Sequence, residues 1–145
     1  MSDIEMLREI SNLRRQLRDF TSGQYTGTWT AYTPTVAAAS GAFTTVTASG
    51  RYTQVGKTVH FKALVTITDA GTAAIYTTIT LPVTPYATYR EAVAGMSMVT
   101  ATGAMYSDLV CFIGASNLLR IYDGAAGNPA VNGNSLIITG TYEAA

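Results

Sequence analysis

Residues 43–68 read FTTVTASGRYTQVGKTVHFKALVTIT, two long alternating runs joined at Gly56-Lys57. In the second run Val59, Phe61, Ala63, Val65 and Ile67 alternate with Thr58, His60, Lys62, Leu64 and Thr66. That is a period of two, with one apolar and one mostly polar face. A two-residue loop at Gly56-Lys57 pairs Val55 with Thr58 and sets the register. Tyr52 then faces Phe61, Gly50 faces Ala63, Ala48 faces Val65 and Val46 faces Ile67, all on the apolar side. Thr45, Thr47, Ser49, Arg51 and Thr53 fall on the other side. A one-residue slip would turn one strand's apolar set to water, so this register is strongly specified. The hairpin is scaffold, and neither it nor the rest of the chain displays catalytic chemistry.

Working outward, TWTAYTPT within Gly27 to Thr35 predicts a strand that Pro34 confines to a sheet edge or ends. The small, Gly-containing run from Val36 to Ala42 predicts a loop. Asp69-Ala70-Gly71-Thr72 predicts a turn. Ile75, Thr77, Ile79 and Leu81 alternate with Tyr76, Thr78 and Thr80, another strand, ended by Pro82 and Pro85. Glu91 to Thr102 and Ala104 to Gly114 predict two strands around Gly103. Leu118 to Tyr122 is a short strand before a turn at Asp123-Gly124. A loop with an Asn132-Gly133 turn leads to a last strand, Ser135 to Tyr142. About eight strands at short intervals, without a helical pattern among them, predict a mainly β domain: an antiparallel β-sandwich of the jelly-roll kind.

The N-terminus is of a different character. The chain has 145 residues, of which 48% are hydrophobic and only 12% charged, with a net charge of zero. Asp3, Glu5, Arg8, Glu9, Arg14, Arg15, Arg18 and Asp19 all precede Phe20. From Asp3 to about Phe20 there is neither Gly nor Pro, and Ser2 with Glu5 forms a capping box. Met6, Ile10, Leu13, Leu17 and Phe20 recur at spacings of four, three, four and three, an a/d seam. Glu9 and Arg14 flank it at g and the following e. The organisation expected is a helix over 1–22 for oligomerisation or docking, a linker over 23–27 and a β-sandwich over 28–145. A coiled coil with other copies is the preferred reading of the seam. Ile4 and Leu7 widen the stripe, and a helix lying on its own β domain is the alternative. The seam by itself does not fix the number of strands in the coil.

Neutral charge gives no electrostatic reason to expect nucleic acid or an anionic membrane as partner. No apolar run is long enough to span a bilayer, and the acidic N-terminus lacks the apolar region of a secretory signal. Cys111, the single cysteine, lies in the run LVCFIG and reads as a buried thiol, and it excludes an intrachain disulfide. One Cys and one His build no zinc cluster. His60, opposite Thr53 on the polar face, reads as a surface histidine. Asp108 and Asp123 are the carboxylate pair a glycosidase would need, but the β body offers only five acids, Asp69, Glu91, Asp108, Asp123 and Glu143, and most of them lie at expected turns or strand ends. The expectation is a non-enzyme with no cofactor. Tyr25, Tyr32, Tyr86, Tyr89, Tyr106 and Tyr122 lie at strand ends or beside loops. Flat aromatic faces beside Asn and Asp can hold sugars by stacking and hydrogen bonds, which makes Tyr86, Tyr89, Tyr106, Asp108, Tyr122 and Asp123 the candidate glycan-binding residues.

TWTAYTPTV (28–36), GAFTTVTASGRYTQVGKTVHFKALVTIT (41–68), TLPVT (80–84) and SLIITGTYEA (135–144) together resemble a β module of tailed-bacteriophage virion fibre, minor tail and head-appendage proteins. GRYTQVGKTVHF is the most specific part of the resemblance. It implies a homotrimer whose short N-terminal helix attaches to other proteins of the particle, assembled in a host cytoplasm and located in the virion. No catalytic residue carries over. The expected function is a fibre, spike or head-decoration component, with host-surface polysaccharide as a further partner. A stand-alone monomeric carbohydrate-binding module is the alternative.

Overall fold

The computed structural model describes residues 1–23, 28–86, 96–114, 118–124 and 127–145, with the side chains of 19–23, 96 and 106 excepted. Helix α1 spans Asp3–Gly23. The strands are β1 (Thr30–Tyr32), β2 (Val36–Ser40), β3 (Thr45–Val55), β4 (Thr58–Asp69), β5 (Ala74–Thr80), β6 (Met96–Val99), β7 (Met105–Tyr106), β8 (Val110–Ile113), β9 (Leu118–Tyr122) and β10 (Ser135–Glu143). They form two antiparallel sheets: a six-stranded one in the order β1-β3-β4-β10-β6-β7, and a four-stranded one in the order β2-β5-β9-β8. The protein is therefore mainly β with one N-terminal helix.

The β3–β4 hairpin has the register that alternation predicts. Val55 pairs with Thr58, Tyr52 with Phe61, Gly50 with Ala63, Ala48 with Val65 and Val46 with Ile67. Gly56 turns the chain with φ +58°. Glycine with a positive φ at the first central position is the mark of a type II′ turn, whose twist matches the strands it joins. Strand β4 is hydrogen-bonded on both sides, to β3 and to β10. Its inward residues Val59, Phe61, Ala63, Val65 and Ile67 are 0–4% exposed. Ile79, Cys111, Ile113, Leu119 and Ile121 from the four-stranded sheet join them, with Leu136, Ile138 and Tyr142 from β10, in one core cluster.

Two departures from the predicted elements have local causes. Val36–Ser40 is a strand, not a loop, because an edge strand needs backbone partners more than large side chains. It pairs with β5, and the buried Thr78 hydroxyl donates to the Ala37 carbonyl at 3.1 Å. The run after Gly103 divides at Ser107-Asp108-Leu109: β7 joins the six-stranded sheet and β8 the four-stranded one. Residues 91–95, the first part of the strand predicted before Gly103, lie outside the described residues.

The β5 strand also breaks its own alternation. Between the Ala38–Thr77 and Ser40–Ala74 pairs, Ile75 and Tyr76 oppose Ala39 alone, a bulge. Ile75 takes the left-handed conformation there, with φ +75°, and points outward, 56% exposed. Thr77 and Ile79 keep the inward positions. The Thr77 side chain is fully buried, and its hydroxyl donates to Asn128 Oδ1 at 2.8 Å. A β-branched residue in the left-handed region is strained by roughly 1–2 kcal/mol. Replacing Ile75 with Gly should therefore raise the stability measured by urea unfolding by about 1 kcal/mol, although Gly lowers strand stability at unstrained sites.

Tyr142 ties the end of β10 to the chain that follows β5. Its hydroxyl donates to the Val83 carbonyl at 2.7 Å and accepts from the Val83 amide at 3.1 Å. Its ring meets Phe61 edge-on, with centroids 5.8 Å apart. Burial pushes the phenol up from its ordinary 10 to about 12, against the lowering effect of the Val83 amide and with a smaller contribution from Tyr52. A phenol whose pKa is raised by folding contributes stability that is complete below pH 10 and is lost as the pH rises toward 12. Urea midpoints should fall across that window. In Tyr142→Phe the fall should be shallower, on a protein already less stable by about 1–3 kcal/mol because both Val83 groups lose their partner.

Candidate functional site

Three surfaces carry the residues that the sequence singled out. The first is α1. Both bonds of the capping box form: the Glu5 amide donates to Ser2 Oγ at 3.3 Å, and the Ser2 amide donates to Glu5 Oε2 at 2.9 Å. The Ser2 amide, and then the Ser2 hydroxyl, hold the Glu5 carboxyl below its usual range. Within the seam Met6 is 48% exposed, Ile10 40%, Leu13 59% and Leu17 62%. Ile4 and Leu7, beside them, are exposed too. The side chain of Phe20 lies outside the described residues. The helix continues to Gly23, into the predicted linker, and 24–27 are not described.

The second surface is the end of the molecule beside the β4–β5 turn. There Asp108, Tyr122 and Asp123 come together. The Asp108 carboxylate lies against Gly124 so closely that a side chain there would collide with it. Asp123 Oδ1 accepts the Gly127 amide at 2.6 Å, and the Asp123 amide donates to the Gly127 carbonyl at 3.0 Å. The ring of Tyr122 stacks on Phe112 and tilts against Tyr76, with centroids 5.8 and 4.9 Å away. Arg120 lies over Tyr76 at 5.1 Å and over Phe112 at 5.9 Å. The Asp123 carboxylate closes a loop, and the half-buried rings are occupied by one another.

The remaining candidates do not join this cluster. Strand β5 runs from the Tyr122 end of the four-stranded sheet toward Pro85, which bridges to Ala144 at the opposite end. Tyr86 lies at that far end, its amide bonded to the Glu143 carbonyl at 2.8 Å and its ring 5.8 Å from Lys57 Nζ. The Tyr106 backbone pairs with Met98 in β7. Tyr89 lies outside the described residues.

The third surface is the outer face of the six-stranded sheet, and it brings together residues that no short motif connects. Ala31 pairs with Arg51, Arg51 with Lys62 and Lys62 with Thr139, one row across four strands. Trp29, just before β1, lies beside this row. Its indole centroid is 5.1 Å from the Arg51 guanidinium carbon and 5.6 Å from Lys62 Nζ. The next row holds Thr53, His60 and Thr141, with His60 Nδ1 and Thr141 Oγ1 sharing a hydrogen bond at 2.9 Å. These residues line a groove with Trp29 and Lys62. On the other side of the cations lies the row Ser49, Leu64 and Ile137, and both apolar side chains are exposed. The facing register of Arg51 and Lys62 was legible in the hairpin. Trp29 was not, because β1 pairs with β3 across the intervening β2.

Among the described residues no group of His, Cys, Asp and Glu is arranged to hold a metal ion, and no helix is long and apolar enough to cross a membrane. Cys111 is buried in the core. Comparison with models of protein families, with curated proteins and with solved structures finds no match.

The loop-closing role of Asp123 has a direct check. Asp123→Ala should cost about 1.5–3 kcal/mol in urea unfolding, the range for a hydrogen bond to a charged group. Asp123→Asn, which keeps an acceptor, should cost less than half of that. Equal, near-zero losses in both variants would show that the carboxylate does not hold the loop.

Proposed function

We propose that the chain is a structural component of a tailed-bacteriophage virion: a homotrimeric fibre, spike or head-decoration protein. In this reading the helix assembles and docks the protein, and the two sheets face one another as a jelly-roll-like sandwich displayed outward. The observation that carries the reading is the apolar stripe of α1, exposed from Met6 to Leu17 on a helix with charged flanks. The resemblance of the segments 28–36, 41–68, 80–84 and 135–144 to virion β modules supplies the setting.

The magnitudes favour a cooperative attachment over a free-standing zipper. Burying a Leu, Ile or Met side chain yields about 1.5–3 kcal/mol. Four seam side chains per chain therefore gain an amount of the same order as the roughly 4–15 kcal/mol cost of association. A 21-residue helix, about 31 Å long, is a marginal coil alone and gains from contacts between bodies or with a particle. Edge strands β1, β2, β7 and β8 would likewise gain from neighbours, since a free sheet edge is open to unwanted pairing.

Light scattering on the purified chain should give three times its 15.3 kDa mass. The double variant Ile10→Asp, Leu17→Asp should be monomeric with its β circular dichroism intact, and antibody against the chain should label purified particles. A wild-type monomer at micromolar concentration would instead fit the stand-alone carbohydrate-binding module.

A further inference from the structure

We infer that the outer face of the six-stranded sheet is a binding site for an anionic saccharide, a sugar chain bearing carboxylate or sulfate groups. Trp29, Arg51 and Lys62 would be its centre, and Thr53, His60 and Thr141 its polar rim. This gives the displayed body a ligand and rests on the proposed function only for its biological setting.

Two cations face one another on this sheet, an electrostatic anomaly. Arg51 and Lys62 are direct cross-strand neighbours, and like charges in that relation repel. The β body carries few charges, so this juxtaposition is not crowding. Among the described residues neither cation meets a carboxylate; their partner is the face of Trp29. On the outer face of β10 the acid nearest in register is Glu143, two rows beyond the Lys62–Thr139 pair. An anion bound beside the indole would relieve the repulsion, and the two exposed cations would hold it with charge-assisted hydrogen bonds.

The rest of the surface selects among anions. Trp29 is 40% exposed, which leaves aromatic surface for the apolar C–H face of a pyranose. Hydroxyls of Thr53 and Thr141 and the His60 ring line the adjoining groove, the donor and acceptor set that sugar hydroxyls use. The exposed Leu64 and Ile137 lie on the opposite flank, suited to a second apolar sugar face. Nucleic acid fits poorly: duplex or single strand is held by many phosphate contacts, and this face offers two permanent cations. An acidic peptide that adds a strand needs a free sheet edge, whereas this site crosses the face of four paired strands.

Trp29 is the sole tryptophan, so emission under excitation that tyrosine does not absorb reports this site. Titration of the full chain with tetragalacturonate in low salt should give a saturable change in emission, which 0.5 M NaCl weakens. The neutral maltotetraose should give none. Lys62→Gln and Arg51→Gln should each raise Kd about tenfold, the equivalent of one charge-assisted bond. Neither variant should lose stability, because each removes a repulsion. Calorimetry on Trp29→Ala should show no binding while its β circular dichroism persists. An absent or non-saturable response to tetragalacturonate would overturn the inference, as would an equal response to maltotetraose or an unchanged Kd in both Gln variants. Tighter binding of an oligothymidylate or of polyglutamate than of tetragalacturonate would also overturn it. So would a trimer that falls apart on Leu64→Asp, since that would place this face between copies. The titration reads the same in a monomer or a trimer, so a failed assembly experiment leaves it standing, and the converse holds.

Discussion

The ladder between β3 and β4 is the constraint on which the rest of the structure depends. Strand β4 is long, paired with a neighbour on each side and buried on its inner face, with Val59, Val65 and Ile67 fully covered. Its register with β3 decides which residues enter the core and which reach the outer face, because side chains alternate with a period of two. The same pairing that sets Tyr52 against Phe61 sets Arg51 against Lys62. The inner face and the candidate site are thus two readings of one register. Gly50 belongs to this arrangement: a side chain there would collide with the ring of Tyr32, which crosses the strand at that point. The ring and the missing side chain together let β1 close onto β3 and bring Trp29 to the cations.

Sequence reading succeeded where side-chain period and turn chemistry act alone. The hairpin, the last strand, the turns at Gly71 and Gly133 and the capping box are of this kind. Both glycines take the left-handed conformation, with φ of +56° and +83°. It failed where the backbone acts without a side-chain signature. Strand β2 is built from small residues and exists because β5 offers it a ladder. The bulge at Ile75 is invisible to alternation, which set that residue in one series with Thr77 and Ile79. The division between β7 and β8 is a choice of sheet, and the strand-forming residues on either side do not encode it. The same limit applies to the sites. The helical seam is local in sequence and was legible, as was Asp123 at its turn. The Trp29 cluster needed a pairing between strands that are not consecutive.

The two surfaces left unsatisfied by the fold differ in kind. The stripe on α1 is apolar and would gain by leaving water, a non-directional preference that suits packing against other helices. The face at Trp29 is cationic and aromatic, with hydroxyls on one flank and apolar side chains on the other, a mixture that discriminates among ligands by chemistry. Consistency between local preference and global fold is the rule in a foldable sequence, and local violations concentrate at functional places. Facing cations in a chain with only 12% charged residues are such a violation. The strain at Ile75 is another, and the bulge in β5 accounts for it.

The proposed assembly and the proposed ligand support one another through effective concentration. An open site with two cations and one indole offers little enclosed surface, and ligand affinity depends on how much of the ligand is buried. A single copy would therefore release a sugar chain readily, more so at physiological ionic strength, where exposed charges are screened within about 8 Å. A polysaccharide repeats its charges along its length. Three copies of the face, carried at fixed spacing by a shared helical stem, would meet several repeats at once, and each engagement would raise the local concentration for the next. Weak single sites then become a firm attachment without any new contact. On this argument a shallow, salt-sensitive site is the kind that a trimeric display can use, and a deep pocket would be unnecessary in it.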